Sequence, residues 1–146
     1  MTKFFATLYE WFGLVPVYSH DMAEFLKGMD VSCTGYYALP WYFYIGLLMI
    51  VLTLLLFGLQ YDLVSNKRFP KFEHWALALL VVVIVNFATA FTVPFVAHET
   101  GFYCPSLHIT VFDCIGFGLS NAAWAVVFFS ILNLVAKRFR GKGVGQ

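Results

Sequence analysis

Uninterrupted apolar runs of bilayer length recur three times along the chain. The first occupies residues 41–59 and is closed by Gln60 and Asp62. The second covers residues 75–97, between Glu73-His74 and His98-Glu99, and the third residues 115–136, between Asp113 and Lys137-Arg138. At about 1.5 Å rise per residue, each run covers most or all of a hydrocarbon core of about 30 Å. In lipid every backbone N–H and C=O must be paired within its own segment, so such runs are helices rather than open strands. The pattern predicts an all-α integral membrane protein with a single membrane domain. Its spans are at 41–61, 75–97 and 115–136, its loops at 62–74 and 98–114, and its tail at 137–146.

The N-terminal pattern is less regular. Residues 4–18 are apolar except for Thr7 and Glu10, and Pro16 would end a helix near Val15. Residues 1–18 are expected to lie in the interface, where Phe4, Phe5, Tyr9, Trp11 and Phe12 suit headgroup depth, or to make a short fourth span. A cleaved signal peptide fits poorly, because Tyr9, Glu10 and Trp11 interrupt the apolar centre and no small-residue cleavage site follows. The segment 19–40 opens with a predicted amphipathic helix over 20–27. Ser19 is its N-cap, Asp21 and Glu24 favour its first turn, and Gly28 closes it. Met22, Phe25, Leu26 and Met29 make its apolar side, suited to lying flat on the membrane surface or over the bundle. Tyr36, Tyr37, Trp41, Tyr42 and Tyr44, with Trp75 and Tyr103, read as interfacial anchors.

Composition supports this picture. Hydrophobic residues make up 61% of the chain and charged residues 12%, against roughly 45–50% and about 25% in soluble domains. That leaves too little polar surface for a soluble globule. Charge then orients the spans. Lys67, Arg68 and Lys71 fall between the first two, and Lys137, Arg138, Arg140 and Lys142 after the third, whereas residues 19–40 carry only Lys27 and residues 98–114 no Lys or Arg. By the positive-inside rule the basic segments and the C-terminus are cytoplasmic, in a plasma or inner membrane. The opposite face is acidic: Asp21, Glu24, Asp30, Glu99 and Asp113 could form a mouth that concentrates cations, or could merely solvate two loops. The basic tail reads as a topology signal in contact with lipid headgroups.

Cys33, Cys104 and Cys114 all fall in or beside the outer segments, where an oxidising compartment preserves a disulfide. The favoured pairing is Cys33 with Cys104, which joins the segment before the first span to the loop between the second and third. Cys114, at the edge of an apolar run, reads as a buried free thiol. His98, Glu99, Cys104, His108, Asp113 and Cys114 are ligand-type residues, but they lack a tight C-x-x-C or H-x-x-x-H pair, so no metal is expected. Nor is any other cofactor. The three apolar runs contain no Asp, Glu, Lys, Arg or His, which disfavours proton relays, carriers of charged substrates and haem ligation. No H-E-x-x-H, G-x-S-x-G or C-x-x-C motif occurs, so no enzymatic activity is expected.

Association chemistry remains. Gly116, Ser120, Ala123 and Ser130 fall within about 80° of one another on a helical wheel, and Asn86, Thr89 and Thr92 within about 120°. Asn121 and Asn133 add two amides to the third span. Small residues and interhelical hydrogen bonds drive helix pairing in lipid. Three spans enclose little interior, so a homo-oligomer or a complex with another membrane protein is expected, with no nucleic-acid partner. Two functions follow. In one, copies assemble into a cation-preferring channel or pore whose lining includes the polar arc of the second span, or Asn121 and Ser130 of the third. In the other, the protein is an accessory, scaffold or immunity-type subunit that binds membrane helices through the same faces.

The charge asymmetry makes a topological prediction. Reporter fusions after Asn66 and after Gln146 should both read cytoplasmic, and an external reading at either position overturns the orientation.

Overall fold

The structure is a computed structural model that describes residues 2–11, 17–65 and 71–142. Phe12, Pro16, Lys67, Arg68 and the tail beyond residue 142 lie outside the described residues. The expectations placed on the side chains of Trp11, Lys71, Arg140 and Lys142 lie outside them too. The described residues form five helices in the order α1 (Thr2–Trp11), α2 (His20–Lys27), α3 (Trp41–Ser65), α4 (Lys71–Thr100) and α5 (Val111–Lys142), with no strand among them. Three helices contain stretches long and apolar enough to cross a membrane: Trp41–Gln60, Trp75–Thr100 and Val111–Arg138.

All three long helices run past the edges of their apolar stretches, because intrahelical hydrogen bonding continues wherever water or side chains solvate the ends. Their stops are chemical. Gly101, at φ +65°, ends α4 in the left-handed region, with its own N–H on the His98 carbonyl and that of Phe102 on the Ala97 carbonyl. A reciprocal box starts α5: the Thr110 hydroxyl accepts from the Asp113 N–H at 3.3 Å, and the Asp113 carboxylate accepts from the Thr110 N–H at 2.9 Å. Both ends of α2 fall where the sequence places them. Ser19 accepts from the Met22 N–H, and Gly28 adopts φ +98°.

Helices α3 and α5 run parallel and α4 is antiparallel to both, and all three pack on one another. Tyr42 meets Phe117 near one end, and Phe57 meets Phe129 towards the other. Two apolar clusters fill the interior. One includes Phe5, Tyr9, Met22, Phe25, Leu26, Tyr42, Ile45, Ala90 and Phe117, and the other Met49, Val82, Ala125 and Phe129. The first is capped by α2, which lies over the bundle with Met22, Ala23, Phe25 and Leu26 buried. The Cys33–Cys104 disulfide, with Cα atoms 5.3 Å apart, staples the α2–α3 segment to the α4–α5 loop, and Cys114 is free and buried.

The aromatic expectations need correction at three residues. Phe5, Tyr9 and Tyr42, assigned to interfacial anchoring, are interior residues. Phe5 packs over Gly46, and Tyr9 stacks on Tyr42 with ring centroids 5.6 Å apart. The reason is the i, i+4 spacing of Phe5 and Tyr9, which turns both toward α3, whereas Phe4 stays exposed. Tyr36, Tyr37 and Tyr44 do remain exposed. The ten residues of α1 rise about 15 Å, half of a bilayer core.

Gly116 is the seat of the N-terminal segment on α5, since a Cβ there would lie 1.7 Å from the Val17 carbonyl oxygen. Gly116→Ala should therefore lower the thermal midpoint in detergent, at a cost of roughly 1–3 kcal/mol from overpacking. Gly58 has nothing within 4 Å of such a Cβ, so Gly58→Ala should be neutral or stabilising. Equal midpoints for the two variants would refute the seat.

Candidate functional site

The candidate site is a polar joint between the two apolar clusters. Asn86 of α4 lies between Val82 and Ala90, and Asn121 of α5 between Phe117 and Ala125, and both side chains are fully buried. The Asn121 amide donates to the Asn86 backbone carbonyl at 2.8 Å. The Asn86 amide donates to the Val82 carbonyl at 2.9 Å and approaches the Thr53 hydroxyl of α3 at 3.5 Å. Tyr9 of α1 donates its phenolic proton to the Asn121 Oδ1. Four helices thus meet at one set of polar groups. Asn86 Oδ1 is buried without a hydrogen-bond partner.

Around this joint stands an aromatic layer. The Tyr18 and Tyr42 hydroxyls are 3.0 Å apart, Phe117 packs against Tyr9, Tyr18 and Tyr42, and the Trp124 indole N–H donates to the Leu8 carbonyl at 3.2 Å. A phenol has an ordinary pKa of about 10. Tyr9 is therefore a neutral donor at physiological pH.

The remaining residues singled out from the sequence divide. Thr89 is half-buried and donates to the Asn86 carbonyl, while Thr92 is exposed and donates to the Ala88 carbonyl of its own helix. The arc of Asn86, Thr89 and Thr92 therefore turns from interior to surface. On α5, Gly116 and Ser120 are buried, Ser130 is half-buried and Ala123 is exposed. Asn133 donates to the Phe129 carbonyl at 2.8 Å.

Of the five acids expected at the outer mouth, four brace local structure. Asp21 accepts from the His108 N–H at 2.9 Å, and Asp113 from the Ser19 N–H at 2.6 Å. Asp30 accepts from the Ser32 and Thr34 hydroxyls and from the Thr34 and Gly35 N–H groups. Glu24 accepts from Tyr36 and pairs with Lys27 at 3.3 Å, and Lys27 also reaches Glu10 of α1 at 3.1 Å. Burial alone would raise the Glu24 carboxyl, but its bonds from Tyr36 and Lys27 outweigh that and hold it below the ordinary glutamate range. Glu99 is the open one, its side chain 60% exposed and 3.6 Å from His98. Among the described residues no three His, Cys, Asp or Glu side chains group as a metal site.

Tyr9, Tyr18, Thr53 and Trp124 join the site without a sequence argument having singled them out for it. The i, i+4 pair Phe5 and Tyr9 was the available signal for α1, and Thr53, a hydroxyl in the middle of an apolar run, was the one for α3. No protein-family model, curated protein or solved structure matches the chain.

A double-mutant cycle tests the joint. Tyr9→Phe removes a donor from a buried acceptor and should destabilise the detergent-solubilised protein by about 1–3 kcal/mol. Asn121→Leu should cost at least as much. The pair should be coupled by roughly 0.6–2 kcal/mol, the range for intramembrane polar pairs. Strict additivity would show that the contact contributes nothing.

Proposed function

We propose that the protein is an integral membrane subunit without a pore of its own, an accessory or scaffold that binds another membrane protein through the open face of α4. The observation that carries this reading is the inward direction of the amides. The Asn121 amide donates to the Asn86 carbonyl of α4 and accepts from Tyr9, and the Asn86 amide donates within α4 and approaches Thr53 of α3, so they hold the protomer together and are withdrawn from any axis between copies. The surface left on α4 is broad. Only 17% of its apolar stretch is buried inside the protein, against 44% for α5. Ile84, Ala88, Thr92 and Val96 stand exposed at four-residue spacing, and the one hydroxyl among them is satisfied by its own helix. A face of this kind suits close packing against a second helix.

One observation favours the channel instead. Glu99 is exposed on the same side of α4 as Thr92, two turns further along. Copies packed around this face would place a hydroxyl in the lining and a carboxylate at the mouth of a cation-preferring pore.

Site-specific photocrosslinking from position 92 in native membranes, with position 127 on α5 as the control, distinguishes the two. The accessory reading expects adducts to a different membrane protein from position 92 and no conductance of the purified protein in planar bilayers. Adducts of twice the 16.6 kDa chain mass, together with conductance that Thr92→Leu diminishes, would overturn it in favour of the pore.

A further inference from the structure

The Cys33–Cys104 disulfide is asymmetric. Cys33 lies exposed in the 30–35 loop, at φ +61°, and among the described residues it is the only one besides glycine with positive φ. That left-handed conformation disfavours a side chain with a Cβ, so the loop holds Cys33 against its backbone preference. The restraint comes from Asp30, whose carboxylate gathers Ser32, Thr34 and Gly35. Cys104, by contrast, is fully buried. Beside it, the exposed Ser106 hydroxyl lies 2.8 Å from the Cys104 Sγ and 3.7 Å from the Cys33 Sγ. A disulfide sulfur carries no proton, so Ser106 is the donor in both contacts.

We propose that this bond is a directional thiol-exchange site, in which the thiolate of a partner dithiol protein attacks the Cys33 Sγ and expels Cys104. Exchange requires a thiolate to reach one sulfur along the S–S axis and the other to leave as a stabilised thiolate. Only Cys33 is open to such an approach, and only Cys104 has a hydroxyl within 3 Å to receive the departing charge. In the first step a partner S–Cys33 bond forms and the Cys33–Cys104 bond breaks. The electron pair stays on the Cys104 Sγ, which takes its proton from solvent through the Ser106 hydroxyl. In the second step the partner's other thiolate attacks its own sulfur in the mixed disulfide, and Cys33 leaves and is protonated by solvent. The partner dithiol is oxidised to a disulfide, and Cys33 and Cys104 are reduced by the same two electrons.

Exchange would release one loop while leaving the fold in place. The bonds from the His108 N–H to Asp21 and from the Ser19 N–H to Asp113 hold α2 and its N-cap to the α4–α5 loop and to α5 independently of the disulfide. The 30–35 loop, with exposed Tyr36 and Tyr37 beside it, is then the part set free.

Reduced glutathione is the probe. The oxidised, detergent-solubilised protein is exposed to it briefly, quenched with acid, labelled with N-ethylmaleimide in denaturant and mapped by mass spectrometry. The expected product carries glutathione on Cys33 and maleimide on Cys104. Glutathione on Cys104, an even division, or no reaction until denaturant is added would each overturn the proposal. Ser106→Ala should slow the reaction about tenfold, the effect of one hydrogen bond to a charged acceptor, with an unchanged thermal midpoint, and Ser106→Thr should restore it. A wild-type rate for Ser106→Ala removes the assigned leaving-group role. If Ser106→Ala fails to fold, single-cysteine reactivity decides the direction. Towards glutathione disulfide, Cys33 in Cys104→Ser should react at least about tenfold faster than Cys104 in Cys33→Ser, as exposed thiolates do over buried thiols, and equal rates overturn the proposal.

Discussion

A side-chain amide enclosed by hydrocarbon must find hydrogen-bond partners or impose its full desolvation cost on the fold. Asn86 and Asn121 make that constraint the organising one. Apolar side chains pack in many rotational settings with similar energies, because dispersion is weakly directional. An amide that must reach one particular carbonyl allows far fewer. The bond from Asn121 to the Asn86 carbonyl, 2.8 Å long, sets the rotation and height of α5 against α4. With that relation set, Phe87 falls over Gly118, and Phe129 falls beside Val82 and Ala125.

The cover at the disulfide end depends on the same relation. Tyr9 reaches Asn121 only if α5 turns that side chain toward α1, and the same turn presents Gly116 to the Val17 carbonyl. The two residues lie five apart on α5, so a rotation that disturbed one contact would disturb the other. Ser19 and Asp113 then align closely enough for a 2.6 Å bond, which ties the α2 N-cap to the capping box of α5. The acids of the two loops serve this assembly. Asp21, Asp30 and Asp113 are acceptors for backbone N–H groups that have no helical partner, which is why a negative end need not act as a cation mouth.

Much of this architecture was legible from local pattern. The three apolar runs, the caps of α2 at Ser19 and Gly28, and the pairing of Cys33 with Cys104 each rest on short stretches of chain or on a single topological argument. The partners of α1 were not legible, because the apolar character of Phe5 and Tyr9 suits a lipid interface and a protein interior equally. Only the three-dimensional position of Gly46 and Tyr42 separates the two. The polar joint was half legible. Wheel geometry puts Asn86, Thr89 and Thr92 on one arc about 120° wide, yet an arc that broad straddles the edge of a helix contact. Asn86 therefore falls inside while Thr92 falls outside. Ala123 is exposed although it falls within the small-residue seam, since a lone methyl neither demands burial nor resists exposure.

The open face of α4 bears on how a subunit of this kind would engage a partner. A threonine hydroxyl that donates to its own i−4 carbonyl is satisfied in hydrocarbon, so exposure of Thr92 to lipid leaves no proton donor unpaired. Its oxygen still has a lone pair, and it accepts from a neighbouring helix without first surrendering the internal bond. Ala88 and Thr92, four residues apart, are short enough to let another backbone approach closely. The face is therefore tolerable in lipid when empty and gains packing and one hydrogen bond when occupied. Asn86 on that face would have behaved differently, since its amide protons would require a partner at all times and would enforce permanent assembly. Turning Asn86 inward and leaving Thr92 outward separates the permanent contacts of the protomer from one that, under the proposed accessory role, another membrane helix would make and break.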